Sequence, residues 1–183
     1  METLKKVIFG IAVFLVLFLA FGYLLPKQVE VSRSIDMHAT TWQIHPYVDN
    51  LERWKNWMPW NKEMDPSVKY TFSGAKRGQG ARMSWSSDKM GSGELTITKS
   101  AKRAGVWYSI YFHEGHMESL GSLTYQPVPN GTKVIWKDIM EMGNNPINRY
   151  FGLLLDAMLG ADFETGLAKL KEVVEKSSIG KAQ

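Results

Sequence analysis

The segment His113-Glu114-Gly115-His116 places two imidazoles and a carboxylate close together, and Glu118 follows two residues later. These groups bind zinc and related divalent ions. In the zinc motif H-E-x-x-H, however, a helix brings two histidines spaced by four onto one face. Here the histidines are three apart, in a predicted hairpin that contains a glycine. We therefore expect an exposed turn and no metal site.

A single acid, Asp138, stands among apolar residues in the run KVIWKDIM, residues 133–140. Alternation along a strand places it on the same face as Trp136 and Met140. A carboxylate on a buried face costs free energy unless it is paired, and burial raises its pKa. The structural alternative is a salt bridge from Asp138 to Arg33 on the neighbouring first strand.

Hydroxyl donors are predicted on the same face as this acid. They belong to Tyr70, Tyr108 and Tyr125. An acid with hydroxyl donors in an apolar cavity is what an aldol-type cyclisation or a dehydration requires. Asp138 and Tyr108 are therefore the candidate catalytic residues.

The composition excludes several other kinds of chemistry. The chain has no cysteine, so disulfides, thiolate catalysis and cysteine-ligated metals are ruled out. The sequence contains no evident Ser-His-Asp arrangement, and His38 and His45 show no partners in it. The glycine-rich turns fit no phosphate-binding motif. We expect no cofactor. Residues 1–27 account for +2 of the net charge of +4, and the remaining +2 on the domain is too small to indicate a nucleic-acid partner.

Residues 7–25 form an uncharged apolar run, VIFGIAVFLVLFLAFGYLL, which as a helix crosses about 28 Å of hydrocarbon. Two interpretations remain: a permanent membrane anchor, or a signal peptide cleaved near Ala20 and Gly22. The apolar run continues past that cleavage site, which favours the anchor. Lys5 and Lys6 precede the run, so we expect a single-pass protein with a cytoplasmic N-terminus and its domain on the outer, extracytoplasmic side.

The rest of the chain reads as one α+β domain. The alternating run QVEVSRSIDM predicts a first strand, and two short helices follow, the second ending before Pro59. Six strand-like runs come next: VKYTF, ARMSWSS, ELTIT, VWYSIYF, SLTYQP and KVIWKDIM. A long amphipathic helix then begins at Asn145, which caps it, with Pro146 in its first turn.

These elements predict a curved antiparallel sheet of about seven strands that wraps the C-terminal helix, preceded by an N-terminal transmembrane helix. The corresponding division of the chain is residues 1–26 for the anchor, 27–177 for the domain and 178–183 for a C-terminal tail.

The element order and several segments resemble the helix-grip fold of the START-like (SRPBCC) superfamily, in its polyketide cyclase/dehydrase-type branch. The segments are VSRSIDM, WKNWMPW, DPSVKYTFSG, GQGARMSWSS, GSGELTIT, GTKVIW and DFETGLAKLK. The resemblance covers about residues 27 to 176. It implies a large apolar cavity between the sheet and the C-terminal helix, in a superfamily whose members range from lipid carriers to cyclases.

With such a cavity, the inner faces of the strands and of the last helix become candidate ligand-binding surfaces, rich in adaptable methionine and aromatic side chains. The candidate residues are Trp57, Trp60, Tyr70, Met83, Trp85, Leu95, Ile97, Tyr108, Ile110, Phe112, Leu123, Tyr125, Trp136, Met140, Met158 and Phe163. The alternative is that the same side chains simply fill the core.

Three tryptophans stand at intervals of three in RWKNWMPW, residues 53–60. Alternate turns of a meander lie at the same end of the sheet, and the resemblance implies that the first strand pairs antiparallel to the last. Together these expectations place this segment near the start of the first strand and hence near the membrane. We expect Trp57 and Trp60 to be partly exposed at the cavity mouth, where indoles favour the membrane interface, and Trp54 to pack inward. Alternatively, all three plug the end of the core.

Three functions fit the sequence. The first is a membrane-anchored protein that binds a hydrophobic small molecule, lipid-like, isoprenoid or polyketide-like. The second is a cyclase or dehydratase that uses Asp138 and a tyrosine. The third is an interaction module tethered to the envelope, which a fully packed interior would favour.

Overall fold

A computed structural model describes residues 1–114 and 117–179. Its elements, in chain order, are α1 (Glu2–Leu24), β1 (Gln28–Met37), α2 (Thr41–Val48), α3 (Leu51–Trp54), β2 (Lys69–Gly74), β3 (Ala81–Ser87), β4 (Gly91–Ala101), β5 (Gly105–Phe112), β6 (Met117–Val128), β7 (Gly131–Glu141) and α4 (Pro146–Ile179). The predicted α+β class and the order of elements are confirmed. Helix α4 extends into the predicted tail, and residues 180–183 lie outside the described part of the chain.

The seven strands form one antiparallel sheet in the order β1-β7-β6-β5-β4-β3-β2. Strands β2 to β7 are joined as successive hairpins, whereas β1 closes the sheet by pairing with β7, from Gln28 opposite Glu141 to Met37 opposite Thr132. The start of β1 therefore lies at the same end as the β3–β4 and β5–β6 turns. The basic turns that contain Lys76 and Lys102 lie at the opposite end, as meander parity predicts.

Helix α4 covers the inner face of the sheet. Asn145 caps it by accepting a hydrogen bond from the backbone N–H of Ile147 at 2.9 Å, which satisfies a donor that a helix start leaves unpaired. Farther along, the helix buries one apolar stripe completely: Phe163, Leu167, Leu170 and Val174. The three- and four-residue spacing of this stripe is what the sequence pattern predicts for a core-facing helix.

Arg33 fastens this helix to the sheet. From β1 its guanidinium donates to Asp156 at 2.9 Å and to Glu164 at 2.8 Å, both on α4. These carboxylates hold the pKa of Arg33 above its ordinary value, chiefly through their hydrogen bonds. Arg33 is thus committed to α4, and the proposed structural alternative, a salt bridge between Arg33 and Asp138, does not form.

Helix α1 is long and apolar enough to cross a membrane, a property that signal sequences share. Its last turns pack against the start of α4. Gly22 is buried there, where an added Cβ would lie 2.7 Å from Pro146 and 2.8 Å from Tyr150. Arg149 donates to the carbonyl oxygens of Tyr23 and Leu25, at 2.7 and 3.3 Å. The cation therefore caps the negative end of the helix dipole of α1.

The β5–β6 turn contains the segment from His113 to His116, for which the sequence predicts no metal site. Gly115 and His116 lie outside the described residues. The neighbouring Glu114 accepts hydrogen bonds from the backbone N–H and the hydroxyl of Ser92, at 2.7 and 3.0 Å. These bonds lower the pKa of Glu114. Its carboxylate thereby fastens the β5–β6 turn to the first residues of β4.

Candidate ligand-binding cavity

A cavity of about 210 Å³ lies inside the sheet, between the strands, the segment after α3 and helix α4. Its wall consists of Trp54, Met58, Trp60, Tyr70, Met83, Trp85, Met90, Leu95, Tyr108, Ile110, Phe112, Trp136, Asp138, Met140 and Leu159. Apolar cavities of about 150 Å³ take up benzene, so this volume has room for a single ring or a short acyl segment.

Ten of the candidate ligand-binding residues line this wall: Trp60, Tyr70, Met83, Trp85, Leu95, Tyr108, Ile110, Phe112, Trp136 and Met140. Strand alternation identifies most of them because every second side chain faces the inside of the sheet. Trp54 packs inward as expected and also forms part of the wall. Met58, Met90 and Leu159 were not among the candidates. Met58 and Met90 lie outside regular strands, where no periodicity marks a side chain as inward.

The other six candidates lie away from the wall. Trp57, Ile97, Leu123 and Phe163 are fully buried in the core, Tyr125 turns towards His45, and Met158 is 56% exposed. The expectation that Trp57 would be partly exposed is wrong. Its indole N–H donates to the Tyr47 carbonyl at 3.1 Å, and its ring packs edge-on against Trp136. The segment continues for one turn beyond α3, which points this indole into the core.

Trp60 is half-buried, as expected, and lines the cavity. Its indole N–H donates to Asp162 on α4 at 3.1 Å, and its carbonyl oxygen accepts a hydrogen bond from the hydroxyl of Tyr70. Burial raises the pKa of Tyr70 to about 12, so this hydroxyl stays protonated at neutral pH. Trp60 therefore joins the loop after α3, strand β2 and helix α4 on one side of the cavity.

Asp138 is the acidic group of the wall, and a directed chain of hydrogen bonds holds it. The indole N–H of Trp136 donates to the hydroxyl oxygen of Tyr108 at 2.7 Å, and that hydroxyl donates to Oδ1 of Asp138 at 2.7 Å. Asp138 is 3% exposed. The predicted proximity of Asp138 and Tyr108 is thus present in the structure. The donor role of Trp136 was missed because sequence alternation gives a face but not a bonding partner.

This environment changes the acidity of both groups. Burial raises the pKa of Asp138 to about 7, although the hydrogen bond from Tyr108 opposes the rise. Burial, together with the nearby carboxylate, raises the pKa of Tyr108 well above its ordinary value. At neutral pH the carboxyl group is therefore present in both its protonated and its ionised form, while the phenol keeps its proton. With Oδ1 held by Tyr108, Asp138 retains Oδ2 to donate or accept a hydrogen bond.

Gly121 on β6 makes room for this pair. A Cβ at this position would lie 1.9 Å from Oδ1 of Asp138 and 2.1 Å from the ring of Tyr108. Gly93 on β4 does the same for Trp85, whose ring atoms would lie 2.4 Å from an added Cβ. Both glycines sit in mid-strand, where a side chain normally packs. Their absent side chains let the larger neighbours fold down onto the sheet.

A second polar cluster, around His45 of α2, lies apart from the cavity. Its Nδ1 is 3.1 Å from the hydroxyl of Tyr125, and its Nε2 is 3.1 Å from Oγ of Ser100. Burial lowers the pKa of His45. Tyr125 is therefore unavailable to the cavity, because its hydroxyl is bonded within this cluster. Asp49 lies 3.7 Å from Nε2 of the same ring.

A family model described as polyketide cyclase / dehydrase and lipid transport matches residues 28–175. The chain belongs to this family. The description of the family includes both enzymes and lipid transport proteins, so membership supports either hydrophobic ligand binding or a cyclase role. A search of curated protein sequences returned no significant match.

Solved structures with the family fold agree with the architecture. A protein of unknown function from Staphylococcus aureus, SA2116, aligns with a TM-score of 0.61 at 12% identity, over 83% of this chain and 96% of that one. The di-domain ARO/CYC protein StfQ of the steffimycin biosynthetic pathway aligns with a TM-score of 0.61 at 11% identity, over 83% of this chain and 52% of that one. DynU16, from the dynemicin biosynthetic locus, aligns at 0.57 and 14% identity, over 81% and 48%. At these identities the likeness establishes the fold.

Proposed function

We propose that the protein binds a hydrophobic small molecule in the cavity while residues 7–25 anchor it in a membrane. The observation that carries the proposal is an apolar cavity wall with one buried acid, Asp138, held by Tyr108. Pockets of this kind bind the apolar body of a ligand by burial and orient it through few polar groups. The ligand is therefore a lipid-like, isoprenoid or polyketide-like molecule with an oxygen function that reaches Asp138.

The size of the cavity limits which of these ligands can fit. Pockets for drug-sized ligands usually measure about 300–1,000 Å³, and this one measures about 210 Å³. A fused multi-ring ligand thus requires the wall to move, which the flexible side chains of Met58, Met83 and Met90 permit. A single chain or ring fits with less rearrangement. The same empty space argues against a tethered interaction module, for which a packed interior would be sufficient.

The packing of α1 supports a permanent anchor over a cleaved signal peptide. Cleavage near Ala20 and Gly22 would remove much of the helix that meets Pro146 and Tyr150. The start of β1 lies at the same end of the sheet as the β3–β4 and β5–β6 turns, so with residues 7–25 as the anchor we put these turns on the membrane side of the domain. Tyr70, Met90 and Phe112 of the cavity wall lie towards this end, so we place the cavity mouth towards the bilayer. An apolar ligand entering there avoids exposure to water, which costs about 25 cal/mol per Å².

Filling the cavity should abolish ligand retention. We expect a ligand to co-purify with the wild-type protein, and Ile110→Trp, at a position that lines the cavity, to lose most of it because the added indole takes up the free volume. Ser109→Trp places the same side chain on the opposite face of β5 and should retain the ligand. Native mass spectrometry of the full chain, released gently from detergent, measures both. Equal ligand occupancy in the two variants would contradict binding in this cavity.

A second candidate function is a cyclase or dehydratase, and the observation that favours it is the carboxyl group with a pKa near 7. An acid of this kind donates a proton to a carbonyl or hydroxyl oxygen of a bound substrate and accepts one in return. Tyr108 keeps the carboxyl group oriented. The name of StfQ, an ARO/CYC protein with this fold, is consistent with such chemistry. Asp138→Asn should then still bind the ligand but no longer convert it. The compound that co-purifies with the variant is incubated with each protein: an enzyme predicts conversion by the wild type alone, whereas a binding protein predicts that both leave the compound unchanged.

A further inference from the structure

The first half of α4 exposes a stripe of large apolar side chains. Ile147 is 60% exposed, Phe151 44%, Leu154 57% and Met158 56%. They follow one another at steps of four, three and four residues, so they share one face of the helix. The stripe covers about 16 Å of helix length, and the side chains are too large and too close together for an ordinary solvated helix surface.

Charge is absent from the exposed surface of α4 between Pro146 and Leu155. Between Pro146 and Leu155 the charged residue is Arg149, and it is 3% exposed. The first exposed charge in the helix belongs to Asp156, which faces Arg33. Continued along the same face, the stripe reaches the exposed polar residue Thr165. The apolar character is thus confined to the half of α4 nearest α1.

The contacts between α4 and α1 indicate what covers this stripe. Pro146 meets Gly22, and one turn later the ring of Tyr150 stacks on Phe18, with 4.1 Å between ring centroids and 4° between ring planes. The hydroxyl of Tyr150 donates to the carbonyl oxygen of Phe18 at 2.6 Å. The first turn of α4 therefore lies beside Gly22, and the side chain of Tyr150 reaches back along the apolar helix to Phe18, about 9 Å before its last residue, Leu24.

If α1 crosses a bilayer, this level lies inside the apolar part of the membrane. Arg149 is compatible with such a position, because its guanidinium bonds the carbonyl oxygens of Gly143, Tyr23 and Leu25. A cation near the end of a membrane-spanning helix is tolerated at the interface when backbone carbonyls and the polar headgroup region satisfy its donors. Tyr23, whose ring the guanidinium covers at 5.7 Å, is a typical interfacial residue.

We propose that the first turns of α4 are embedded in the bilayer beside α1 and that the stripe continues along the membrane surface. Ile147, Phe151, Leu154 and Met158 then contact lipid, while Asp156 lies on the opposite face of the helix, paired with Arg33. The protein then contacts the membrane at two places, through the spanning helix and through this apolar stripe. The inference rests on the proposed anchor, since it takes the position of the bilayer from residues 7–25. Leu159, which follows the last residue of the stripe, lines the cavity, so the lipid-facing surface leads directly to the cavity wall.

The absence of cysteine makes the test direct, because single cysteines can be introduced and labelled without a background. We would label Leu154→Cys with an environment-sensitive fluorophore in the full chain, reconstituted in vesicles of phosphatidylcholine and phosphatidylglycerol. Thr165→Cys is the matched control, since it lies on the same face about 16 Å farther along α4. Val13→Cys, in the middle of the apolar run, reports on the anchor. Each label is exposed to bromine-substituted lipids and to aqueous iodide.

We expect the Leu154 label to be blue-shifted and to lose most of its fluorescence to brominated lipid, while iodide quenches the Thr165 label. If iodide quenches the Leu154 and Thr165 labels equally while brominated lipid quenches the Val13 label, the inference is wrong and the anchor stands. A Leu154 label shielded from both quenchers would mean that a protein partner or a second copy covers the stripe, which also overturns it. A Val13 label quenched by iodide would remove the anchor itself, and the inference with it.

Discussion

Replacing Asp138 by asparagine should stabilise the protein at neutral and alkaline pH and leave its stability almost unchanged at pH 4. Burial raises the pKa of this carboxyl group from 3.8 in the unfolded chain to about 7 in the folded one. Between these values the folded state binds the proton more tightly than the unfolded state does, so folding stability falls as the pH rises. Above pH 7 the full cost of keeping a buried charge is present.

The expected size of the effect is roughly 4 kcal/mol, at about 1.4 kcal/mol for each pH unit between 4 and 7. Asparagine has nearly the shape of the protonated acid and still accepts the hydrogen bond from Tyr108. The free energy of unfolding of the variant should therefore not show this decrease with rising pH. Urea unfolding of both proteins in the same detergent, from pH 4 to 8, measures the difference. Other titrating groups are common to the two proteins and cancel in it.

Asp36→Asn provides the control for the removal of a carboxylate as such. Asp36 lies on β1 with a side chain that is 62% exposed, 3.8 Å from Lys133. Exposed ion pairs contribute about 0–1 kcal/mol, so this variant should follow the wild-type pH profile closely. Parallel profiles for the wild type and Asp138→Asn would contradict the raised pKa and, with it, the acid role in the second candidate function.

Gly121→Ala should destabilise the fold and disturb the cavity together. Alanine is ordinarily preferred to glycine in a strand by about 0.5–1 kcal/mol, so local propensity alone predicts a small gain in the free energy of unfolding. The new methyl group, however, would meet Asp138 Oδ1 at 1.9 Å and the Tyr108 ring at 2.1 Å, both buried. Overpacking of this kind typically costs about 1–3 kcal/mol. We expect the upper end of that range, because neither neighbour is free to move into solvent.

The measurement is again unfolding in detergent, combined with ligand occupancy by native mass spectrometry. Ser122→Ala serves as the control, since Ser122 is the next residue on β6 and faces away from the cavity. Its effect should stay within about 0.5 kcal/mol, as is usual for surface positions. A Gly121→Ala protein with wild-type stability and full ligand occupancy would show that the acid and the tyrosine have room that the structure does not indicate.

Most of the fold was predictable from the sequence because each strand carries its own alternating pattern and each hairpin its own turn residues. The inner face of β5, for example, follows directly from Tyr108, Ile110 and Phe112 at every second position. The resemblance to the superfamily added the cavity, which alternation alone cannot distinguish from a filled core. Which inward-facing side chains of a strand reach the cavity was harder to predict. Tyr125 shares a face with Tyr108, yet its hydroxyl bonds to His45 in a separate cluster.

Irregular segments account for much of the rest. Trp57 and Trp60 are chemically alike and three residues apart, but one turn beyond α3 the chain sends Trp57 into the core and leaves Trp60 half-buried against Asp162. The step of three residues from Leu155 predicts that Met158 faces the core, but Met158 lies in the exposed stripe instead. A helical period alone does not reveal that a helix has two apolar faces, one for the core and one for another surface.

The pairing of β1 with β7 limits the order in which the strands of the sheet can pair during synthesis. About 100 residues separate the two strands along the chain, and at ribosomal rates of about 5–20 residues per second their synthesis takes roughly 5–20 s. During that time β1 has no neighbour, while the hairpins from β2 onward can form locally as they emerge. If residues 7–25 anchor the chain as proposed, they hold the waiting strand at the membrane surface. Closing the sheet brings together two strands that lie far apart along the chain, so this pairing is expected to be a late and slow step of folding.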